Sequence, residues 1–222
     1  MLESSRGKAR LVTVRDGDPA KGTCITIHGV HGSPEDMRPL TDKGLRTGGS
    51  VMTLAYDDAY GHVPETCQAL AQQLGAWMDK HPGERLTLEA HSLGTRVTLG
   101  ALKELQDQGR LQGNEISLNL VAPPLAGLEV ANGAAYAPDF IARLIPGAVP
   151  GKDMGTRSEF QQMINNLTLP ANVSTKIFVG GKDEVVDSCT DEFERIANRL
   201  HATVIHVPKA DHVSIIAEAA EY

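Results

Sequence analysis

The chain has 222 residues, 41% of them hydrophobic and 22% charged, with a net charge of −7. That length and balance fit one globular domain with a full core and argue against disorder. The acidic balance and the lack of a dense Lys/Arg cluster argue against nucleic-acid binding, and no apolar run reaches the roughly 20 residues of a membrane span.

The start, Met1 to Lys8, lacks the apolar centre of a signal peptide, so a cytoplasmic location is expected. Cys24, Cys67 and Cys189 are an odd number without metal-ligand spacing, and reduced thiols are expected.

Arg10–Val14 alternates and reads as a strand, with Arg15–Pro19 as a turn. Thr23–Ile27 is β-branched and largely apolar, as an interior strand would be. It runs into a loop from His28 to Pro34 whose glycines allow unusual backbone angles. Glu35–Thr41 reads as a short helix, Val51–Leu54 as a strand and Ala55–Val63 as a loop. Pro64 opens a helix on which Cys67, Leu70, Ala71, Leu74, Trp77 and Met78 share one face, and His81-Pro82-Gly83 ends it.

A β-prone run from Leu86 then meets a tight turn at Ala90-His91-Ser92-Leu93-Gly94. The helix that follows has Leu93, Val97, Ala101 and Leu105 four residues apart. Further strands are expected at Ile116–Val121, Thr175–Val179 and Thr203–Val207. Further helices are expected around Phe193–Leu200 and over Val213–Ala220. Strands alternating with helices predict an α/β fold with a mostly parallel central sheet and helices on both faces.

The segment Ala122–Ser174 is too long for an ordinary connection. Phe140, Ile141, Leu144 and Ile145 form an apolar stripe on a short helix, broken after it by Gly147, Pro150 and Gly151. Two readings stand. The segment is a cap or lid whose stripe walls a substrate pocket, or its helix is docked for packing alone.

The turn at Ser92 carries the chemistry. Strand, sharp turn and helix lift a serine off the end of a sheet, and small flanking residues let strand and helix approach. Gly94 meets this need, while Ala90 replaces the first glycine of G-x-S-x-G. The helix N-terminus turns free N–H groups toward the serine, so the Leu93 amide is a candidate oxyanion donor. A serine hydroxyl needs a base, and the base needs an orienting acid. Of the eight histidines, His212 lies just beyond the last strand, and Asp183 just beyond the strand before it. Sites in open α/β sheets gather at such strand ends. Asp187, Glu184 and Asp211 are rival acids: Asp211 suits the turn at His212, and the other two sit farther along their loop. His91 reads as structural, with its side chain expected to point away from the serine. His28 reads as holding the glycine loop.

The segments His28–Gly32, Ala90–Gly94, Gly181–Val186 and Asp211-His212 together resemble the α/β-hydrolase superfamily, from about Thr23 to the C-terminus. Within it the chain is similar to small lipases and esterases of the PGAP1-like/triacylglycerol lipase type. The proline-glycine run Ala122–Gly127 supports that likeness, with weaker marks at Ser158–Phe160, Leu167 and Pro170. The resemblance implies Ser92, Asp183 and His212 as triad and the Val30 and Leu93 amides as oxyanion hole. It implies one domain over residues 1–222 with 122–174 as cap. It also implies no metal and no organic cofactor. The expected substrate is a small acyl ester or lipid, cleaved through an acyl-enzyme, without stable membrane insertion. The rival expectations are a thioesterase or acyltransferase with the same triad and a non-catalytic hydrolase-like binding protein.

Overall fold

The computed structural model describes residues 9–59, 61–128, 131 and 148–222. The strands are β1 (Arg10–Arg15), β2 (Thr23–Ile27), β3 (Ser50–Ala55), β4 (Leu86–His91), β5 (Ile116–Val121), β6 (Val173–Gly180) and β7 (Thr203–Val207). They form one sheet in the order β1-β3-β2-β4-β5-β6-β7. Every neighbouring pair is parallel except β1 with β3, whose register shifts between Thr13 and Arg15. From β1 at one edge the chain enters β2, steps out to β3, crosses back to β4 and then steps the other way to β5, β6 and β7. The carboxyl ends of β2 and β4 therefore flank the point where strand order reverses, the place where open α/β sheets form their crevice.

The helices are α1 (Arg38–Thr47), α2 (Val63–Lys80), α3 (Leu93–Asp107), α4 (Ala148–Met154), α5 (Glu159–Asn166), α6 (Asp191–Arg199) and α7 (Ile215–Ala219). α2 packs on α3, and α5 on α3 and α6, over one sheet face. This side holds the larger core. Leu70 and Leu74 of α2, Val97, Ala101 and Leu105 of α3, and Leu86, Leu88 and Ala90 of β4 are all essentially inaccessible. Burying each of the larger aliphatic side chains contributes about 1.5–3 kcal/mol. On the opposite face α1 and α7 pack on each other, α1 against β2 and β3, and α7 against β5 and β6. Helices thus lie on both faces, but cover of the second face is partial. Ser117, Ser174 and Lys176 on it are exposed.

The expected elements recur with two displacements. The helix expected at Glu35–Thr41 begins at Arg38 and runs on to Thr47. Asp36 delays it: its carboxylate accepts from the Ser33 amide at 2.8 Å and the Ser33 hydroxyl at 3.0 Å, closing a turn first. Gly48, at φ 86°, ends the helix in the left-handed conformation. Pro150 and Gly151, expected as breakers after the stripe, sit inside α4. The stripe Phe140, Ile141, Leu144 and Ile145 lies outside the described residues.

Candidate active site

β4 ends at His91 and α3 begins at Leu93, so Ser92 makes the whole turn by itself. It does so at φ 51° and ψ −121°, a region that non-glycine residues rarely enter. The Ser92 amide donates to the Val121 carbonyl at 3.0 Å, and its carbonyl accepts from the Thr95 amide at 3.0 Å. These bonds hold the strained residue from both sides. The tight turn brings α3 against β2. A Cβ on Gly94 would stand 2.4 Å from the His28 carbonyl oxygen, so glycine is required there. Ala90 is fully buried among core residues and meets no such obstacle.

Asp183 and His212 reach the serine on two loops joined by their backbones. The Gly181 amide donates to the Val207 carbonyl at 3.0 Å and the Lys182 amide to the Ala210 carbonyl at 2.9 Å. A Cβ on Gly180 would fall 2.6 Å from the Ala210 oxygen, and one on Gly181 2.6 Å from the Pro208 oxygen. The Gly-Gly pair therefore permits the close approach of the β6 and β7 loops. His212 Nε2 lies 2.9 Å from Ser92 Oγ, and its Nδ1 lies 2.8 Å from Asp183 Oδ2. The carboxylate takes Nδ1–H, which leaves Nε2 to accept from the serine hydroxyl. Asp183 Oδ1 accepts from the Val185 and Val186 amides at 2.9 and 3.0 Å. Burial raises the Asp183 carboxyl, but the His212 bond and the two amides outweigh it and hold it below the ordinary carboxylate range. An ionised Asp183 beside Nδ1 favours the proton arrangement that a serine-activating histidine needs.

The rival acids have other uses. Asp211 Oδ1 accepts from the Val213 and Ser214 amides and shapes the turn at His212. Asp187 accepts from the Cys189 amide and is exposed, as is Glu184.

The loop after β2 runs directly past the serine: a Cβ on Gly29 would lie 2.9 Å from Ser92 Cβ. The Gly32 amide donates to the Gly29 carbonyl at 3.2 Å, closing a turn with Val30 and His31 at its centre. His28 holds this loop. Its Nδ1 lies 2.9 Å from the Gly29 carbonyl, its ring stacks on Tyr56 with centroids 4.4 Å apart, and the Tyr56 hydroxyl donates to its carbonyl at 2.6 Å. Leu93 opens α3, so its amide has no acceptor within the helix. Val30 thus stands in the turn that passes the serine, and Leu93 directly follows the serine in the chain. No helix among the described residues is long and apolar enough to cross a membrane.

Two residues of the site's surroundings have partners that the sequence did not reveal. His91 does turn its side chain away from the serine, but to a definite partner: its Nε2–H donates to the His212 carbonyl at 2.7 Å. Burial pushes its imidazole down to about 4, against the pull of that carbonyl, so it is neutral near pH 7. Arg96, one turn into α3, is fully buried. It donates to the Pro124 carbonyl at 3.0 Å, to Gln161 Oε1 at 2.6 Å and to the Asp153 carbonyl at 2.8 Å, and lies over the Phe160 ring. It ties the loop after β5, α4 and α5 to the helix that bears the serine. A cation between Leu93 and Val97, the apolar positions of α3, was the available signal.

No protein-family model matches the sequence, and no curated protein matches it. Solved structures do. A Bacillus licheniformis lipase in its mature form aligns with a TM-score of 0.65 at 17% identity, over 96% of this chain and 94% of that one. The type II thioesterase YbtT of the yersiniabactin pathway aligns with a TM-score of 0.65 at 13% identity, over 95% and 94%. An α/β hydrolase enzyme from a lagoon-sediment metagenome of Mar Chica, Morocco, aligns with a TM-score of 0.59 at 20% identity, over 97% and 90%. The likeness is one of fold, and the fold is that of the α/β-hydrolases.

Proposed function

We propose that this protein is a serine hydrolase that cleaves carboxylic esters. The observation that carries the reading is the single imidazole of His212 held between Ser92 Oγ and the Asp183 carboxylate. Ser92 attacks the acyl carbon as His212 Nε2 takes its proton, and Asp183 stabilises the imidazolium that forms. The tetrahedral oxyanion is met by the Val30 and Leu93 amides, the latter at the positive end of α3. His212 returns the proton to the leaving alkoxide, and water repeats the sequence on the acyl-enzyme. Residues 122–174 serve as a cap over this site.

The same machinery cleaves thioesters, and the matched structures include a thioesterase beside a lipase. The two readings separate on substrates: parallel rates on p-nitrophenyl esters and on acyl-CoA decide which class is preferred. The hydrolase reading itself is tested by a fluorophosphonate probe. It is expected to label wild-type protein at Ser92 and to leave Ser92→Ala unlabelled. Labelling that persists in Ser92→Ala, or no labelling of folded wild-type protein, refutes the assignment.

A further inference from the structure

Three residues before Ser92, β4 carries a buried carboxylate that the proposed hydrolysis does not use. Glu89 is 1% exposed. Its Oε1 accepts from Asn119 Nδ2 at 2.9 Å and meets the Lys43 ammonium at 3.2 Å. Its Oε2 has no hydrogen-bond partner among the described residues. A buried ion pair of this kind can be replaced by packed apolar side chains at no loss, so stability alone does not call for it. Burial also raises the Glu89 carboxyl above its ordinary range, against the pull of Lys43 and Asn119.

Glu89 lies in a groove of about 440 Å³ on the partly covered sheet face. Two rows of the parallel register make its floor: Glu89, Asn119 and Lys176 in one, Thr87, Ser117 and Ser174 in the next. Lys43 and Thr47 of α1 line it too, with Lys21 and Arg85. Four cations face one carboxylate here, in a chain of net charge −7. The groove therefore selects an anion, and its polar floor adds hydroxyl and amide partners. The orphaned acceptor at Oε2 calls for a donor on the ligand.

We propose that this groove binds a small phosphomonoester of a polyol. The dianion matches the excess of cations and rests on Lys43 and Lys176. A ligand hydroxyl donates to Glu89 Oε2, and the others meet Asn119 and the Thr87, Ser117 and Ser174 hydroxyls. Oε2 is shielded from solvent. In this proposal the flexible Lys43 stem swings toward the phosphate as Oε2 opens, which couples anion binding to hydroxyl recognition. The volume lies within the range of small-molecule sites. This inference stands apart from the hydrolase reading.

Calorimetric titration at low salt with glycerol phosphate, inorganic phosphate and glycerol tests it, since none of the three carries an acyl ester for Ser92. Glycerol phosphate is expected to bind at least about tenfold more tightly than inorganic phosphate, and glycerol to give no signal. Lys176 is exposed, so Lys176→Ala keeps the fold and is expected to weaken glycerol phosphate by about tenfold. Glu89→Gln is expected to erase the preference over inorganic phosphate. Equal affinity for the two phosphates overturns the proposal, as does wild-type binding by Lys176→Ala. Absence of binding by glycerol phosphate also overturns it, including the case in which only phosphatidylglycerol vesicles bind.

Discussion

Asp183 divides its two oxygens between tasks: Oδ2 receives the histidine, and Oδ1 is fastened by two backbone amides. Asparagine in its place presents an amide that can donate to Nδ1 and stabilise the wrong tautomer. Asp183→Asn is expected to lower kcat on an ester by about a thousandfold or more, with KM little changed. Asp187→Asn is expected to leave kcat near wild type, because that carboxylate is exposed and accepts from the Cys189 amide of its own loop. Steady-state kinetics on both variants check the pair of outcomes. At His91 the readout is stability. Its folded-state value of about 4 lies below the ordinary value near 6.5, so below pH 6.5 the unfolded chain binds a proton that the native protein refuses. Stability is therefore lost as pH falls from about 6.5 toward 4, by about 2 kcal/mol at pH 5. His91→Gln removes this term. Its melting temperature is expected to fall less than that of wild type between pH 7 and pH 5, measured by thermal denaturation at each pH.

Among the elements, α3 does most to organise the site. Its first residue follows the strained serine, its apolar face fills the core, and Arg96 reaches across to the segment after β5. The guanidinium supplies donors to two backbone carbonyls and to Gln161. Burial lowers the Arg96 pKa to about 10, so the group stays cationic at neutral pH. Arg96→Met keeps much of the volume but strands those acceptors. It is expected to cost about 3 kcal/mol or more of stability. It is also expected to expose α4 and α5 to proteolysis before the sheet unfolds. Limited proteolysis with mass spectrometry, beside a denaturant melt, reads both effects. An unchanged cleavage pattern would mean that Arg96 does not anchor these helices.

For the molecule as a whole, asymmetry of the two sheet faces is the main physical fact. One face buries a continuous aliphatic core under α2, α3 and α5; the other passes from apolar contacts with α7 to a polar, open floor. The thiols report on this enclosure. Cys24 and Cys67 are buried, whereas Cys189 is exposed. Burial pushes the Cys24 thiol up to about 12 and Cys67 higher still, so neither supplies thiolate at neutral pH. Ellman's reagent is expected to titrate one thiol in native protein and three in denaturant, three being the cysteine count. Rapid reaction of more than one thiol in the native state would show that a core face opens.

Local periodicity was enough to read the strands and most helices, because burial repeats every second or every third to fourth residue whatever the neighbours are. It was also enough to read the Ser92 turn, since a small residue on each side of a serine between strand and helix is a local steric demand. The order Ser92, Asp183, His212, each in a loop at a strand end, was legible from chain order as well. Other features depended on the assembled sheet. Asp183 was already preferred among four acids by its place just beyond a strand, but its contact with His212 depends on the Gly180-Gly181 pair, which lets two loops far apart in sequence touch. The start of α1 was misread because Asp36 closes a turn in competition with the helix. His91 was read as structural with no partner named, and Arg96 was not singled out; packing supplies the His212 carbonyl to the one and the acceptors around Pro124 to the other. Glu89 was part of an ordinary strand in the sequence. Only the lateral register, which aligns it with Asn119 and Lys176, turns that strand residue into the floor of a charged groove. A one-dimensional pattern records which face a side chain takes, whereas its partners are set by how the strands and helices come together in three dimensions.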